Sequence, residues 1–224
     1  MTDVEPVHVG PAAANAAERS PSVQRTRLRT PQHTQAVVDA ARRLISEKGE
    51  RFTIQEVAKE AGVALQTFYR SFASKDELLL AVIEDMVLQA CSRFEASVQG
   101  VVDPVERLRS HVASVLTVVA DADDGGAAAR FVVSNRTRLT QLFPEMGLRI
   151  TKAFADLLEP EIAAATTSGQ LRSTDPAEDA WFITQLVLAM FQQSAFGPTQ
   201  DGPLVDHVWR FCLRGLCVAE AGGA

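Results

Sequence analysis

A chain of 224 residues that is 46% hydrophobic can bury a sizeable core without covalent staples, as one large domain or as a small domain joined to a larger one. Its three cysteines, Cys91, Cys212 and Cys217, are odd in number and have neither C-x-x-C nor paired-histidine spacing, which argues against a disulfide framework or zinc site and for a reducing, cytoplasmic setting. No apolar run reaches the roughly 18 residues of a membrane span and the amino terminus lacks a signal-peptide core, so a soluble protein is expected, with no membrane partner.

The net charge of -6 is unevenly spread: residues 19–78 carry 11 Lys/Arg against 7 Asp/Glu, and residues 79–224 carry 11 against 18. A basic front and an acidic back suit a chain with two jobs, although chance fluctuation gives such a split as readily. Residues 1–29, rich in Ala, Pro and Ser and without apolar periodicity, predict a disordered arm. Arg19, Arg25, Arg27 and Arg29 make its end basic, able to follow a phosphate backbone or simply to keep the tail solvated.

From Thr30 the punctuation is helical. Thr30-Pro31 reads as an N-cap with a first-turn proline, followed by apolar positions Val37, Ala40, Ala41, Leu44 and Ile45 and a closing Gly49. Thr53-Ile54-Gln55-Glu56 is a capping box opening a short helix that Gly62 ends, and a third helix spans about 64–71. Ser74-Lys75-Asp76-Glu77 is a second box, at the head of a long helix running toward Gly100. Asp103-Pro104 and Asp175-Pro176 each join an acidic N-cap to a first-turn proline. Between them, helices are predicted at about 127–142 and 145–168, after a loop at 121–126, and a last helix at about 203–220. No segment alternates as a strand, so the expected fold is all-α with about nine helices.

Three helices of unequal length, the second and third joined by a turn at Gly62, match a helix-turn-helix, whose later helix enters a DNA major groove. Phe68 and Phe72, four apart, fall on one side of the third helix and can join Val57, Ala58, Ala61 and Val63 in a small core. Leu65, Gln66, Thr67, Tyr69 and Arg70 remain on the outer surface. Gln66 can donate to and accept from a base edge, Leu65 and the Thr67 methyl can pack on thymine, and Tyr69 and Arg70 can reach phosphate or base. Leu65 reads equally well as an ordinary exposed apolar residue. Thr53 and Lys75 sit at helix N-termini that favour phosphate, and for Thr53 this is compatible with capping.

The stretch FTIQEVAKEAGVALQTFYRSFASKDELL, residues 52–79, closely resembles the TetR family of bacterial transcriptional regulators: a Thr-led second helix, A-G-V, an aromatic-rich recognition helix ending in Phe, and S-K-x-x-L. Detailed resemblance covers about residues 32–85; beyond it only the helical organisation matches. The resemblance implies phosphate or base contacts from Thr53, Tyr69 and Lys75, and sequence reading by Leu65, Gln66 and Thr67. The chain departs from the pattern at Ala64, where a capping Ser is common, and at Arg70-Ser71, where an aromatic and His often stand; both bear on which operator is read.

Beyond the arm at 1–29, the same resemblance implies a DNA-binding domain at 30–80 and an effector-binding and dimerisation domain at 81–224, with a homodimer formed through the last two helices. Residues 180–196, AWFITQLVLAMFQQSAF, are apolar on nearly every side, which predicts a helix buried all round, and Val205, Val208, Trp209, Phe211 and Cys212 give the final helix a broad apolar face. Candidate lining for an apolar effector pocket is Trp181, Gln185, Leu188 and Gln192 on one stripe, with Phe131, Asn135, Leu142, Phe143 and His111 opposite, each of which also reads as plain core or surface. The resulting expectation is a homodimeric repressor released from a palindromic operator by a small hydrophobic effector, needing no cofactor or metal. An activator, an effector-independent DNA-binding protein or an enzyme using Cys91 or His111 and Ser114 are the other readings; no nucleophile elbow, phosphate loop or metal spacing supports the last.

Overall fold

A computed structural model describes residues 21–118, 126–196 and 204–216. Among them every regular element is helical: α1 (Pro21–Lys48), a 3-10 turn (Gly49–Arg51), α2 (Ile54–Glu60), α3 (Leu65–Ser71), α4 (Lys75–Ser97), α5 (Pro104–Thr117), α6 (Ala127–Leu142), α7 (Pro144–Thr167), α8 (Pro176–Phe196) and α9 (Leu204–Leu216). The architecture is thus the all-α one that the capping pattern predicts. The chain divides into two compact units, Met1–Leu78 and Leu79–Ala224, and the division falls within α4.

In the smaller unit α1 packs on α2, on the 3-10 turn and on α3. Val37, Ala40, Ala41 and Leu44 of α1 meet a core that also buries Phe52, Val57, Ala58, Phe68 and Phe72. Helix α1 starts ten residues earlier than Thr30-Pro31 suggests, so Thr30 is not its N-cap and Pro31 lies inside it. Pro21 offers the same preset φ at a helix start, and the Gln, Arg and Leu that follow are good helix formers. Arg25, Arg27 and Arg29 therefore stand on a helix and not on an irregular arm; Arg19 and the rest of the expected arm lie outside the described residues.

Caps explain where the other helices begin. The Thr53 hydroxyl accepts the Glu56 amide at 3.2 Å and the Glu56 carboxylate accepts the Thr53 amide at 2.7 Å, a complete box. At α4 the Ser74 hydroxyl accepts the Glu77 amide, but the Glu77 carboxylate returns to the amide of Ala73, one residue earlier than the box rule places it. Asp103 accepts the Val105 amide, and Asp175 accepts those of Ala177 and Glu178. Gly126, with φ 78°, leads into α6; residues 121–125 of the predicted loop, and 203 and 217–220 of the predicted last helix, lie outside the described residues.

The larger unit is built on α5, α7 and α8, with α6 against α7 and α8, and α9 against α5 and α8. Its core joins Leu108, Val112 and Val115 of α5, Phe154, Leu158 and Ile162 of α7, Ile183 and Val187 of α8, and Trp209 and Cys212 of α9. Arg107 ties this unit together at one end: its guanidinium donates to Glu161 of α7 at 2.7 Å and to the carbonyls of Val101 and Val102 at 2.8 Å. Within the single chain, helix α8 does not reach the all-round burial that its composition suggests. Phe182 is 63% exposed and Phe196 60%, because the unit wraps one side of the helix and leaves the other uncovered.

Candidate nucleic-acid interface

Helix α2 ends in a Schellman turn, in which the Val63 amide bonds the Ala58 carbonyl at 2.9 Å and the Gly62 amide bonds that of Lys59 at 3.1 Å. Gly62 takes φ +66°, which glycine adopts without a Cβ penalty. The turn delivers Ala64 as the N-cap of α3, with no side-chain bond to the first amides. Phe68 is then fully buried and Phe72 nearly so, their rings 5.7 Å apart. Tyr69 meets Phe68 edge-on at 5.4 Å and is itself 51% exposed.

With the inward face occupied by two phenylalanines, α3 turns Leu65, Gln66, Tyr69 and Arg70 outward, all exposed, with Thr67 half-buried beside them. Thr53 is also exposed while it caps α2. Six of the seven residues expected at a nucleic-acid surface are thus placed with no larger duty in the core than Thr67's partial burial and Tyr69's edge contact. Lys75 differs. Its ammonium donates to the carbonyls of Glu50 and, at 2.7 Å, Phe52, and lies 4.2 Å from the centre of the Phe52 ring. It closes the end of the 3-10 turn, a function no local sequence signal reveals because the partners are 23 and 25 residues away.

Glu56 gathers charge at the same edge. Lys48 bonds it at 2.9 Å, and that bond, with those from the Thr53 amide and hydroxyl, holds its carboxyl at about 2. Arg43 of α1 pairs with Glu60 of α2 at 2.9 Å. These exposed pairs add little to stability, but they engage two of the basic residues counted in the front segment.

The predicted effector lining is scattered in the larger unit. Phe131, Asn135 and His111 are buried, Phe143, Trp181, Gln185 and Leu188 half-buried, and Leu142 and Gln192 exposed. Asn135 is satisfied within its own helix, donating to the Phe131 carbonyl at 3.0 Å and accepting from Arg138 at 3.2 Å. Leu142 and Gln192, which face outward, do not line an interior pocket of the single chain: Leu142 sits at the exposed end of α6 and Gln192 on the uncovered side of α8. Trp181 lines a cleft of about 340 Å³ between α7 and α8 with Leu148, Arg149, Lys152, Ala155, Asp156, Glu159 and Ala177; none of the other predicted lining residues reaches it.

Catalytic readings find little in the geometry. Cys91 and Cys212 are buried and their thiols pushed up to about 11, by burial foremost, so neither is a thiolate at neutral pH; Cys217 lies outside the described residues. Among the described residues no group of three His, Cys, Asp or Glu is placed to hold a metal ion, and no helix is long and apolar enough to cross a membrane.

A tri-helical head with a buried aromatic pair behind an exposed, polar third helix, joined to a larger helical unit, defines a helix-turn-helix protein. Residues 37–82 match the family of bacterial regulatory proteins, tetR family. The chain is 33% identical over 185 residues to the HTH-type transcriptional regulator EthR of Mycolicibacterium smegmatis (strain ATCC 700084 / mc(2)155), covering 80% of this chain and 85% of that one. It is 29% identical over 138 residues to HbdR of Aromatoleum sp. (strain CIB), 61% of this chain and 58% of that regulator's length. The fold resembles FadR of Bacillus subtilis in complex with stearoyl-CoA, with a TM-score of 0.57, 20% identity, and coverage of 81% of this chain and 98% of that one. The chain belongs to the TetR family of bacterial transcriptional regulators.

Proposed function

We propose that the protein is a cytoplasmic homodimeric repressor that leaves a palindromic operator when a small hydrophobic effector binds its larger domain. The observation that carries the DNA-reading part is α3: its two phenylalanines complete the core while Gln66, Tyr69 and Arg70 remain exposed beside Leu65 and Thr67. Residues 30–80 act as the reader and 81–224 as the effector and dimerisation domain. Thr53 and Tyr69 contact phosphate, and Gln66 reads a base edge. Lys75 supports this surface from below and offers its remaining N–H to the backbone phosphate.

Dimerisation draws on the uncovered side of α8. Phe182, Ala189, Gln193 and Phe196 are exposed along a stripe about 21 Å long with Phe at each end, and Leu186, half-buried against the core, completes its 4-3-4-3 spacing. On α9, Phe211 is 67% exposed, and a Cβ placed on Gly215 one turn later would meet nothing within 4 Å. Two copies facing each other through these helices would bury apolar surface that a single chain leaves wet, and would present two α3 helices about 34–36 Å apart to successive major grooves.

The test is selection of bound sequences from random duplex DNA by the full-length protein at fixed salt, repeated with Tyr69→Phe/Arg70→Ala. A near-palindromic consensus with half-sites about one helical turn apart is expected, with weaker binding and a shallower salt dependence in the variant. No enrichment, or a consensus unaffected in strength by the double substitution, would remove the assignment of α3 as the reader.

A further inference from the structure

His111 of α5 is 2% exposed and its Nδ1 has no hydrogen-bond partner. Buried ring nitrogens are rarely left so, and the missing partner is then a bound water or the polar group of a ligand that displaces it. Thr166 Oγ1 on α7 is also buried and unpaired. A threonine hydroxyl can rotate onto the carbonyl one turn back in its own helix, whereas an imidazole can re-aim Nδ1 only by turning its whole ring, which the packing around a 2% exposed side chain opposes.

The surroundings restrict what that partner can be. Burial lowers the His111 pKa, against the raising influence of Glu161 and Glu95, with Arg107 also lowering it; the ring is therefore neutral. Arg107 stands one turn before His111 on α5 and bonds Glu161 of α7, while Glu95 stands one turn after buried Cys91 on α4. His111 is thus at a junction of α4, α5 and α7. Helices α5, α7 and α8 pack closely on one another, but among the described residues no helix comes comparably close to α4. Its Val87 and Phe94 rest half-buried against the core. The α4 side of this junction is apolar, and it is the side less closely held.

A carboxylate placed there would face Glu161 and Glu95 against the single cation Arg107, which is already paired with Glu161, and an ammonium would surrender its hydration to an apolar wall. A hydroxyl meets neither objection, and because it both donates and accepts it satisfies Nδ1 in either neutral tautomer. We propose that His111 Nδ1 anchors the hydroxyl of an otherwise apolar, uncharged effector, an alcohol or phenol, bound where α4 meets α5 and α7. This rests on the effector reading above and names the ligand class.

The test uses the full-length protein with 4-butylphenol and butylbenzene, which differ by the hydroxyl alone. By titration calorimetry the phenol is expected to bind about tenfold more tightly or better, with the preference falling to about one in His111→Leu and partly restored in His111→Gln, consistent with the usual worth of one buried hydrogen bond. Independently of any variant's folding, long-range 1H–15N spectra of the histidine-labelled wild type should show the His111 Nδ1 resonance moving with the phenol and not with the hydrocarbon. Equal binding of the two compounds, a preference kept in His111→Leu, or a bound phenol that leaves Nδ1 unmoved overturns the anchor and leaves the effector reading standing. Binding of neither compound overturns both.

Discussion

Lys75 holds two backbone carbonyls and an aromatic face at the foot of the small unit. Charge-assisted hydrogen bonds of this kind contribute about 1.5–3 kcal/mol in partly buried settings. Lys75→Ala is therefore expected to lower protection of α1–α3 amides by about 1–3 kcal/mol in native-state hydrogen exchange, whereas Gln66→Ala leaves it within about 0.5 kcal/mol. Unchanged protection in Lys75→Ala would return that residue to a purely DNA-facing role. Glu56 makes a pH-dependent contribution at the same scale. Its carboxyl is held at about 2, chiefly by Lys48 and then by Thr53, below the ordinary 4.5. A depressed carboxyl stabilises the folded state fully above about pH 4.5 and loses that contribution as pH falls through about 2. Urea unfolding across this window should show wild type converging on Glu56→Gln as the pH drops; a constant difference would rule the linkage out.

At the scale of elements, the angle between α2 and α3 depends on Gly62. The space around it is open, since an added Cβ meets nothing within 4 Å, so the cost of substitution there is the backbone's alone. Gly62→Val is expected to destabilise the small unit by about 1–2 kcal/mol and Gly62→Asn by less, in the order that left-handed tolerance predicts. Equal losses from both would mean that the turn relaxes out of that conformation. Gly147 is the opposite case. A Cβ there would come within 2.6 Å of the Thr140 side chain, so its smallness is needed for the close approach of α6 and α7.

For the molecule as a whole, the largest uncovered apolar groups among the described residues lie on α8 and α9: Phe182, Phe196 and Phe211. Phe182→Glu/Phe211→Glu is expected to sediment as a monomer at micromolar concentration with its helical content intact, and to bind the selected duplex about tenfold more weakly or worse, since one reading head then loses the other's effective concentration. A persistent dimer would move the interface elsewhere.

Much of this was legible from the sequence because the signals are local. The Thr53–Glu56 box, the glycine that closes α2, and the proline starts of α5 and α8 lie within a few residues of the groups they satisfy, and the pairing of Phe68 with Phe72 follows from helix spacing. Where two signals compete along one helix the reading failed: Pro31 looked like a start because nothing local says that Pro21 is the earlier one. Composition alone also could not tell which side of α8 this chain covers. An all-apolar helix is compatible with burial by its own unit, by a second copy or by both, and only packing separates these.

The sequence by itself determined the all-α class, the order and most of the limits of the helices, and a helix-turn-helix surface around Gln66 and Tyr69, because each depends on contacts spanning a turn or two of chain. Tertiary structure alone decided that Lys75 closes the carbonyls of Glu50 and Phe52, that Leu142 and Gln192 face outward, and that His111 is enclosed without a partner for Nδ1. Those outcomes depend on distances between residues far apart in the chain, and hydrophobic burial, which brings them together, is non-directional: it prescribes that a face be covered without prescribing by what.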